Sequence, residues 1–598
     1  MGLAAGVLVS LVVGTPAASA EDIPDKAAEP ATYEVAINVP DVDGVKALIF
    51  ASSQLITLEN TPPDSANGLQ RRIESDVDSF RAVMRSNGYY DPDIRSSLEG
   101  DAPPYKVDIS IAPGPRYTLA EFDIVFLGGL PDDSARVPTL ADGGITLGDA
   151  AVADGIAAAD STLVRWLKNR GFPFAKVVDR LALADHLDRT VWIQLTLETG
   201  PLVTFGALET EGLVDVMPAV ITTNITWQEG DDYSQGKVNE MRNRLLDANV
   251  FESVSIRPEG DADGPAGART MMVKVAESQF RSISAGLKYS TDLGPELNFD
   301  WEHRNFFGEA EVLGLRTTIG TERQRLDSSL RIPDFKRRDQ DLVIRANLVN
   351  EEFDAYTQTG AISSVVLEWP VNDNLRTSWG VATDFLEIDD NEDADRSYLL
   401  GLPVIYSWDD TDSLLDPTRG FRVEFRVTPW VGQFGEPVSF LNTSIKGSTY
   451  LSMIEDERLV LAVRGEFGTI FGEDLNNIPS NRRFYAGGGG SIRGYEFQKA
   501  GPLDNENDPT GGRSLAVFGA ELRIKITEDI GIVPFYEGGS VFTGQLPDAN
   551  DQLFWATGLG LRYYTAIGPV RFDVGIPLDR RDDIDDPFQI YVSLGQAF

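Results

Sequence analysis

The chain has 598 residues, no cysteine, two histidines and a formal charge of −41 at pH 7. The missing cysteines exclude a disulfide framework, thiolate catalysis and cysteine-ligated zinc, and His186 and His303 lie in different regions without metal-ligand spacing. So strong an acidic excess argues against a generalised nucleic-acid surface, which needs clustered cations.

Residues 1–20 carry no charge, are mostly apolar from Leu3 to Val13, and end in Ala18-Ser19-Ala20. That pattern predicts a secretory signal peptide, although no Lys or Arg stands near Met1. Beyond it no run of about 18 apolar residues occurs, so no transmembrane helix is expected.

Residues 30–278 repeat themselves at a coarse period. A helical pattern over 69–87 is followed by Gly88-Tyr89-Tyr90 and an extended run at 105–112. The same order recurs as 149–169, Gly171-Phe172-Pro173 and 190–198, then as 233–249, Val250-Phe251-Glu252 and 270–276. Val238, Met241, Leu245 and Ala248 fall at three- and four-residue steps, the mark of one buried helical face. Gly114-Pro115 and Gly200-Pro201 punctuate the junctions. Three α+β repeats in series, at 30–113, 114–199 and 200–278, suit a semi-rigid arm better than an active-site cleft. Three unrelated α+β subdomains would leave the same pattern.

From 279 onward the pattern changes to strict alternation. Phe421, Val423, Phe425 and Val427 alternate with Arg422, Glu424, Arg426 and Thr428. Leu522, Ile524 and Ile526 alternate with Glu521, Arg523 and Lys525, and Val570, Phe572 and Val574 with Arg571 and Asp573. Period-two patterning puts apolar side chains on one face of a strand and charges on the other. A soluble sandwich also alternates, but so charged a polar face suits a water-filled lumen. Residues 279–598, at about twenty per strand and connection, predict about sixteen antiparallel strands. Only a closed sheet satisfies every backbone group in lipid. The last strand is expected at the chain end, where Phe588, Ile590, Val592, Leu594 and Phe598 share one apolar parity that Gln596 breaks.

One loop stands out: Arg482-Arg483-Phe484-Tyr485-Ala486, four glycines at 487–490, then Ser491-Ile492-Arg493-Gly494-Tyr495. Glycines accept positive φ and let backbone pass close to other structure. An arginine held beyond them could reach carboxylates inside a barrel, and a flexible surface loop has the same composition. By alternation Glu521 and Asp573 lie on the inner face; glycines around Glu537 blur its side.

Signal peptide, repeats, barrel and loop together resemble the POTRA-plus-barrel translocases of Gram-negative outer membranes, the BamA/TamA superfamily. The residues that carry it are 483–495, Arg304-Asn305-Phe306-Phe307-Gly308, Asp416-Pro417-Thr418-Arg419-Gly420-Phe421 and Gly568-Pro569-Val570-Arg571-Phe572-Asp573. Three repeats look like the TamA branch, where the BamA branch usually carries five and two-partner secretion transporters two. The resemblance implies an outer-membrane protein with its repeats in the periplasm and a barrel whose first and last strands meet weakly. It implies a loop folded into the lumen, with the latch Arg493, Gly494 and Tyr495 set against Glu521 and Glu537, and Asp573 as a further acid. It implies assembly or translocation of β-barrel clients such as autotransporters by strand pairing at the seam. Its partners would be outer-membrane lipid, unfolded clients and a TamB-like periplasm-spanning protein also linked to phospholipid transport. No cofactor, metal or catalytic residue is expected. The alternatives are a pore exporting one dedicated exoprotein, and a barrel enzyme. Against the enzyme stand the scarce histidines and the lack of Gly-x-Ser-x-Gly, Walker or His-Glu-x-x-His motifs.

Overall fold

The computed structural model describes residues 30–127, 133–390, 394–454, 456–548, 550–565, 568–594 and 596. The expected signal peptide at 1–20 and the terminal Phe598 lie outside the described residues.

The first repeat contains strand Tyr33–Asn38, helices Val45–Ser52, Gln54–Thr57 and Ala66–Ser86, and strands Asp93–Glu99 and Tyr105–Ala112. The second has strand Thr118–Phe126, helix Ala153–Lys168 and strands Lys176–Asp185 and Thr190–Glu198. The third has strand Val203–Glu211, helices Pro218–Thr223 and Gln235–Asp247, and strands Phe251–Pro258 and Gly267–Glu277. In each repeat the last strand lies at the centre of a three-stranded sheet. The leading strand of each repeat is absent from the pattern read in the sequence. It is an edge strand, and in the second repeat a register shift between Leu119 and Glu121 breaks its alternation.

Local chemistry explains the helices. Ser65 caps Ala66–Ser86, its hydroxyl accepting from the Gly68 amide at 3.2 Å, and Leu69, Ile73, Phe80 and Met84 bury one face. Asp76 is buried on that same face, which is tolerable because it is fully used. It accepts from Ser53 Oγ at 2.6 Å and from the amides of Gln54 and Leu55 at 2.8 and 3.1 Å. His186 meets the Tyr117 hydroxyl at 2.8 Å, and His303 stacks near Phe280. Both are ordinary packing residues.

Residues 207–228, 237–257 and 270–598 form one compact body. Within it, the Glu277 carboxylate receives the amides of Val214, Asp215 and Val216 at 2.7, 3.0 and 2.9 Å. The Arg304–Gly308 turn holds the same segment, through Asn305 Nδ2 to the Asp215 carbonyl at 3.0 Å and the Met217 amide to the Gly308 carbonyl at 2.8 Å.

The barrel closes through 17 hydrogen-bonded segments. Two of them, Ala394–Gly401 and Val404–Asp409, pair with the same two neighbours and are one strand interrupted at Pro403. The barrel therefore has sixteen antiparallel strands, as the spacing predicts. Among the described residues no helix is long and apolar enough to cross a membrane. Alternation holds through the wall: Val570 and Phe572 are exposed on the outside, while Arg571 and Asp573 are buried. Strand length is uneven. Tyr356–Pro370, Leu375–Asp389 and Gly420–Phe434 have 15 residues each and Glu436–Ser452 has 17, whereas the first strand Arg281–Ser290 has 10 and the last, Gln589–Leu594, only 6.

Candidate functional site: a lumen latch and a barrel seam

The loop at 472–513 joins strands Leu459–Phe471 and Ser514–Lys525 and packs inside the barrel. Its glycines permit this. Gly494 has φ 105°, and a Cβ on it would stand 3.0 Å from the Ile576 backbone. On the facing strand Gly568–Pro577, a Cβ on Gly575 would come within 2.7 Å of the Gly494 nitrogen. Backbone lies directly on backbone there, so neither position accepts a side chain.

That approach delivers Arg493 into a buried carboxylate cluster. Its side chain is 0% exposed. Nη2 lies 2.8 Å from Glu521 Oε1 and 2.8 Å from Glu537 Oε1, and Nη1 lies 2.8 Å from Asp573 Oδ2. Nε and the Arg493 amide both donate to Glu537 Oε2, at 3.1 and 2.8 Å. The guanidinium carbon sits 3.5 Å from the centroid of the Phe535 ring. Tyr495 is buried and donates to the Trp555 carbonyl at 3.0 Å. All six residues proposed for the latch therefore meet in one place. Glu537 faces inward despite its flanking glycines.

Other members of the cluster are not apparent from the loop sequence. Arg464 Nη2 binds Glu537 Oε1 at 2.8 Å, Arg523 Nε binds Glu521 at 3.2 Å, and Arg562 Nη1 binds Asp573 Oδ1 at 2.5 Å. A carboxylate removed from water is stable only with such pairing. Alternation could have found Arg464, which is inward when Leu459, Leu461 and Val463 point out. The loop has a second anchor on the opposite side. Arg482 forks onto the buried Asp384 of strand Leu375–Asp389, Nε at 2.7 Å and Nη2 at 2.5 Å, and lies over Trp430. Ninety-eight residues separate that pair, and no local pattern reveals it. Among the described residues no group of His, Asp and Glu side chains is arranged to hold a metal.

The seam is the second feature. The first strand pairs with its neighbour Gly294–His303 at every position from Arg281 to Ser290. Among the described residues it pairs with the last strand only at Tyr289↔Val592 and Ser290↔Tyr591. Among the described residues, 281–288 have no ladder partner across the seam, and Ile283 and Leu287 are 80% and 69% exposed. Side chains supplement the short ladder. Ile590 donates its amide to Thr291 Oγ1 at 3.1 Å, and Thr291 Oγ1 also contacts Gln589. Ile590, Val592 and Leu594 face away from the lumen, and Tyr591 between them faces in. The Tyr591 hydroxyl accepts from the Gly494 amide and donates to the Tyr495 carbonyl, both at 3.3 Å. The internal loop thus touches the last strand itself.

Residues 305–598 match the Omp85 superfamily domain. The barrel half of this chain is an Omp85 domain. Preceded by α+β POTRA-type repeats, it gives the chain the architecture of the BamA/TamA-type translocases. Over 553 residues the chain is 24% identical to the outer membrane protein assembly factor BamA of Nitratidesulfovibrio vulgaris, covering 88% of this chain and 68% of that protein. It is also 24% identical over 539 residues to BamA of Neorickettsia risticii, covering 84% and 70%. Among solved structures, BamA from Haemophilus ducreyi lacking POTRA domains 1–3 superposes with a TM-score of 0.68 at 18% identity, covering 80% of this chain and 99% of that one. That likeness shows the shared fold of repeats and Omp85 barrel.

Proposed function

We propose that this protein is an outer-membrane assembly and translocation subunit that offers the edge of its first barrel strand to β-barrel clients. The observation that carries the proposal is the two-pair closure between the first and last strands. Unpaired N–H and C=O groups on a strand edge template another strand. A client pairing there enters lipid sideways with the backbone groups of its paired edge satisfied. Strand exchange needs no covalent step, so the proposed mechanism involves no catalytic residue and no cofactor. Two relatives named as outer membrane protein assembly factors support the same role and an outer-membrane location, and the fold fits repeats placed in the periplasm.

Three repeats ahead of the barrel favour a TamA-like member, with autotransporter-type clients and a long TamB-like periplasmic partner that also serves phospholipid transport. In this account Arg493 is a conformational latch that holds the loop, and through Tyr591 the last strand, in a closed arrangement. The test is a disulfide across the seam in this cysteine-free chain, between Lys288→Cys and Ser593→Cys. Oxidation should abolish client insertion into vesicles and reduction should restore it. Equal insertion by the oxidised and reduced protein would rule out seam opening.

A further inference from the structure

We propose that the turn at 410–419 is a clasp for the chain's own last strand, and that this clasp is mechanically coupled to the Arg493 latch. The turn lies at the end of the barrel where the chain terminates. It is prefolded by Asp412, whose carboxylate accepts from the Thr418 hydroxyl at 2.5 Å and from the amides of Thr418 and Arg419 at 2.9 and 3.2 Å. Asp416 and the Pro417 carbonyl are thereby presented to the barrel interior.

Gln596 is what the clasp holds. Residues 588, 590, 592 and 594 share the outward parity that Gln596 should continue, and among the described residues the ladder runs as far as Leu594. Beyond that point the carboxamide turns inward. Its Nε2 donates to Asp416 Oδ1 at 2.9 Å, its Oε1 accepts from Arg562 Nε at 2.8 Å, and its amide reaches the Leu415 carbonyl at 3.4 Å. A polar residue that interrupts an apolar strand is therefore a tether. Lys525 Nζ stands 3.6 Å from Asp416 Oδ2 on the other side of the carboxylate.

Two chains of contacts lead from the half-buried clasp to the fully buried latch. One runs from Asp416 through Gln596 to Arg562, on to Asp573 at 2.5 Å, and to Arg493 at 2.8 Å. The other runs from the Pro417 carbonyl to Arg523 Nη1 at 3.2 Å, then through Glu521 to Arg493. Arg562 is 0% exposed and shared between tail and latch acid, so withdrawal of the last strand removes one of its partners in a place water does not reach. Releasing the tail weakens the hold on Asp573, and releasing the loop weakens the hold on the tail. Both features bias one two-state element.

The clasp extends the latch reading of Arg493 and is measured without a client, so its failure is distinguishable from a failure of the seam disulfide. Full-length protein in lipid vesicles carries one spin-label pair across the seam (Ile283→Cys with Leu594→Cys) or one from loop to wall (Gly490→Cys with Leu559→Cys). Asp416→Ala should raise the open population in both distance distributions about tenfold, the effect of losing one charge-assisted hydrogen bond. Asp416→Asn, which keeps an acceptor for Gln596 but not the charge, should restore the seam distribution in part. If Asp416→Ala does not fold, Gln596→Ala should give the same two shifts. An unchanged seam distribution would overturn the clasp, and an opened seam with an unchanged loop would overturn the coupling.

Discussion

The two walls of this barrel are built by different means. On the wall formed by Gly420–Phe434 and Glu436–Ser452, the ladder is continuous from Gly420↔Tyr450 to Phe434↔Glu436, and backbone pairing alone makes it stiff. At the seam, among the described residues, the ladder shrinks to two residue pairs and one further backbone bond, from the Thr291 amide to the Ile590 carbonyl at 3.1 Å, and side chains supplement it: Thr291, Tyr591, Gln596 and, behind them, Arg493. A long continuous ladder is a poor switch, because many backbone bonds must break together. A few side-chain bonds to a movable loop can be broken singly. The internal loop spans both regimes, anchored by Arg482 to Asp384 on one wall and by Arg493 to three acids near the seam.

The largest expected effect breaks the seam side. Arg493→Ala leaves Glu521, Glu537 and Asp573 short of a cation and should cost about 3–5 kcal/mol in the stability of the closed state. Insertion of the barrel into membranes should survive, while client assembly at normal protein levels should be lost. Arg493→Lys should not rescue assembly, because one ammonium cannot serve three carboxylates from a planar fork. Full assembly by either variant would remove the latch from the account.

The far anchor should matter less. Asp384→Ala strands Arg482, but that side chain is partly exposed and keeps its stacking on Trp430. A loss of about 1–3 kcal/mol is expected in denaturant titrations, with seam distances unchanged. If Asp384→Ala opened the seam as far as Arg493→Ala does, the two anchors would not be separable. Tyr591→Phe is gentler. It deletes one hydroxyl between Gly494 and Tyr495, worth about 0.5–1.5 kcal/mol, and should raise protease sensitivity of the loop while the ladder at Tyr289 and Ser290 persists.

The smallest effect lies at the join between the third repeat and the barrel. Burial pushes the Glu277 carboxyl up, but the amides of Val214, Val216 and Asp215 outweigh it and hold its pKa below the ordinary value. A depressed folded pKa means that the stabilisation is present above the unfolded pKa of about 4.3 and is lost as pH falls through the folded value. Protease accessibility at 212–217 should therefore rise only in the acid range below that point. Glu277→Gln should abolish the pH dependence and leave the seam untouched.

Much of this architecture was legible in the sequence for one physical reason. A strand between lipid and water must alternate, so Phe421 to Val427 and Val570 to Val574 declare their faces residue by residue. The same rule placed Glu521 and Asp573 inside. Glu537 was harder because its neighbours Gly538 and Gly539 carry no side chain to mark a face. The leading strands of the repeats escaped notice because edge strands bury little, as the mostly exposed outer half of Val203–Glu211 illustrates. Arg482–Asp384 and the Gln596 clasp were invisible in principle. They join segments far apart in sequence whose meeting depends on how the barrel closes.

Among the described residues the first strand is paired on one side only over most of its length. Backbone hydrogen exchange in lipid vesicles tests it directly. Along Arg281–Lys288 every second amide, the set aimed at the seam, should exchange rapidly, while the alternate amides bonded to Gly294–His303 stay protected. Along Gly420–Phe434 both sets should be slow. Uniform slow exchange across Arg281–Lys288 would mean that the seam is zipped, and the account built on its opening would be wrong.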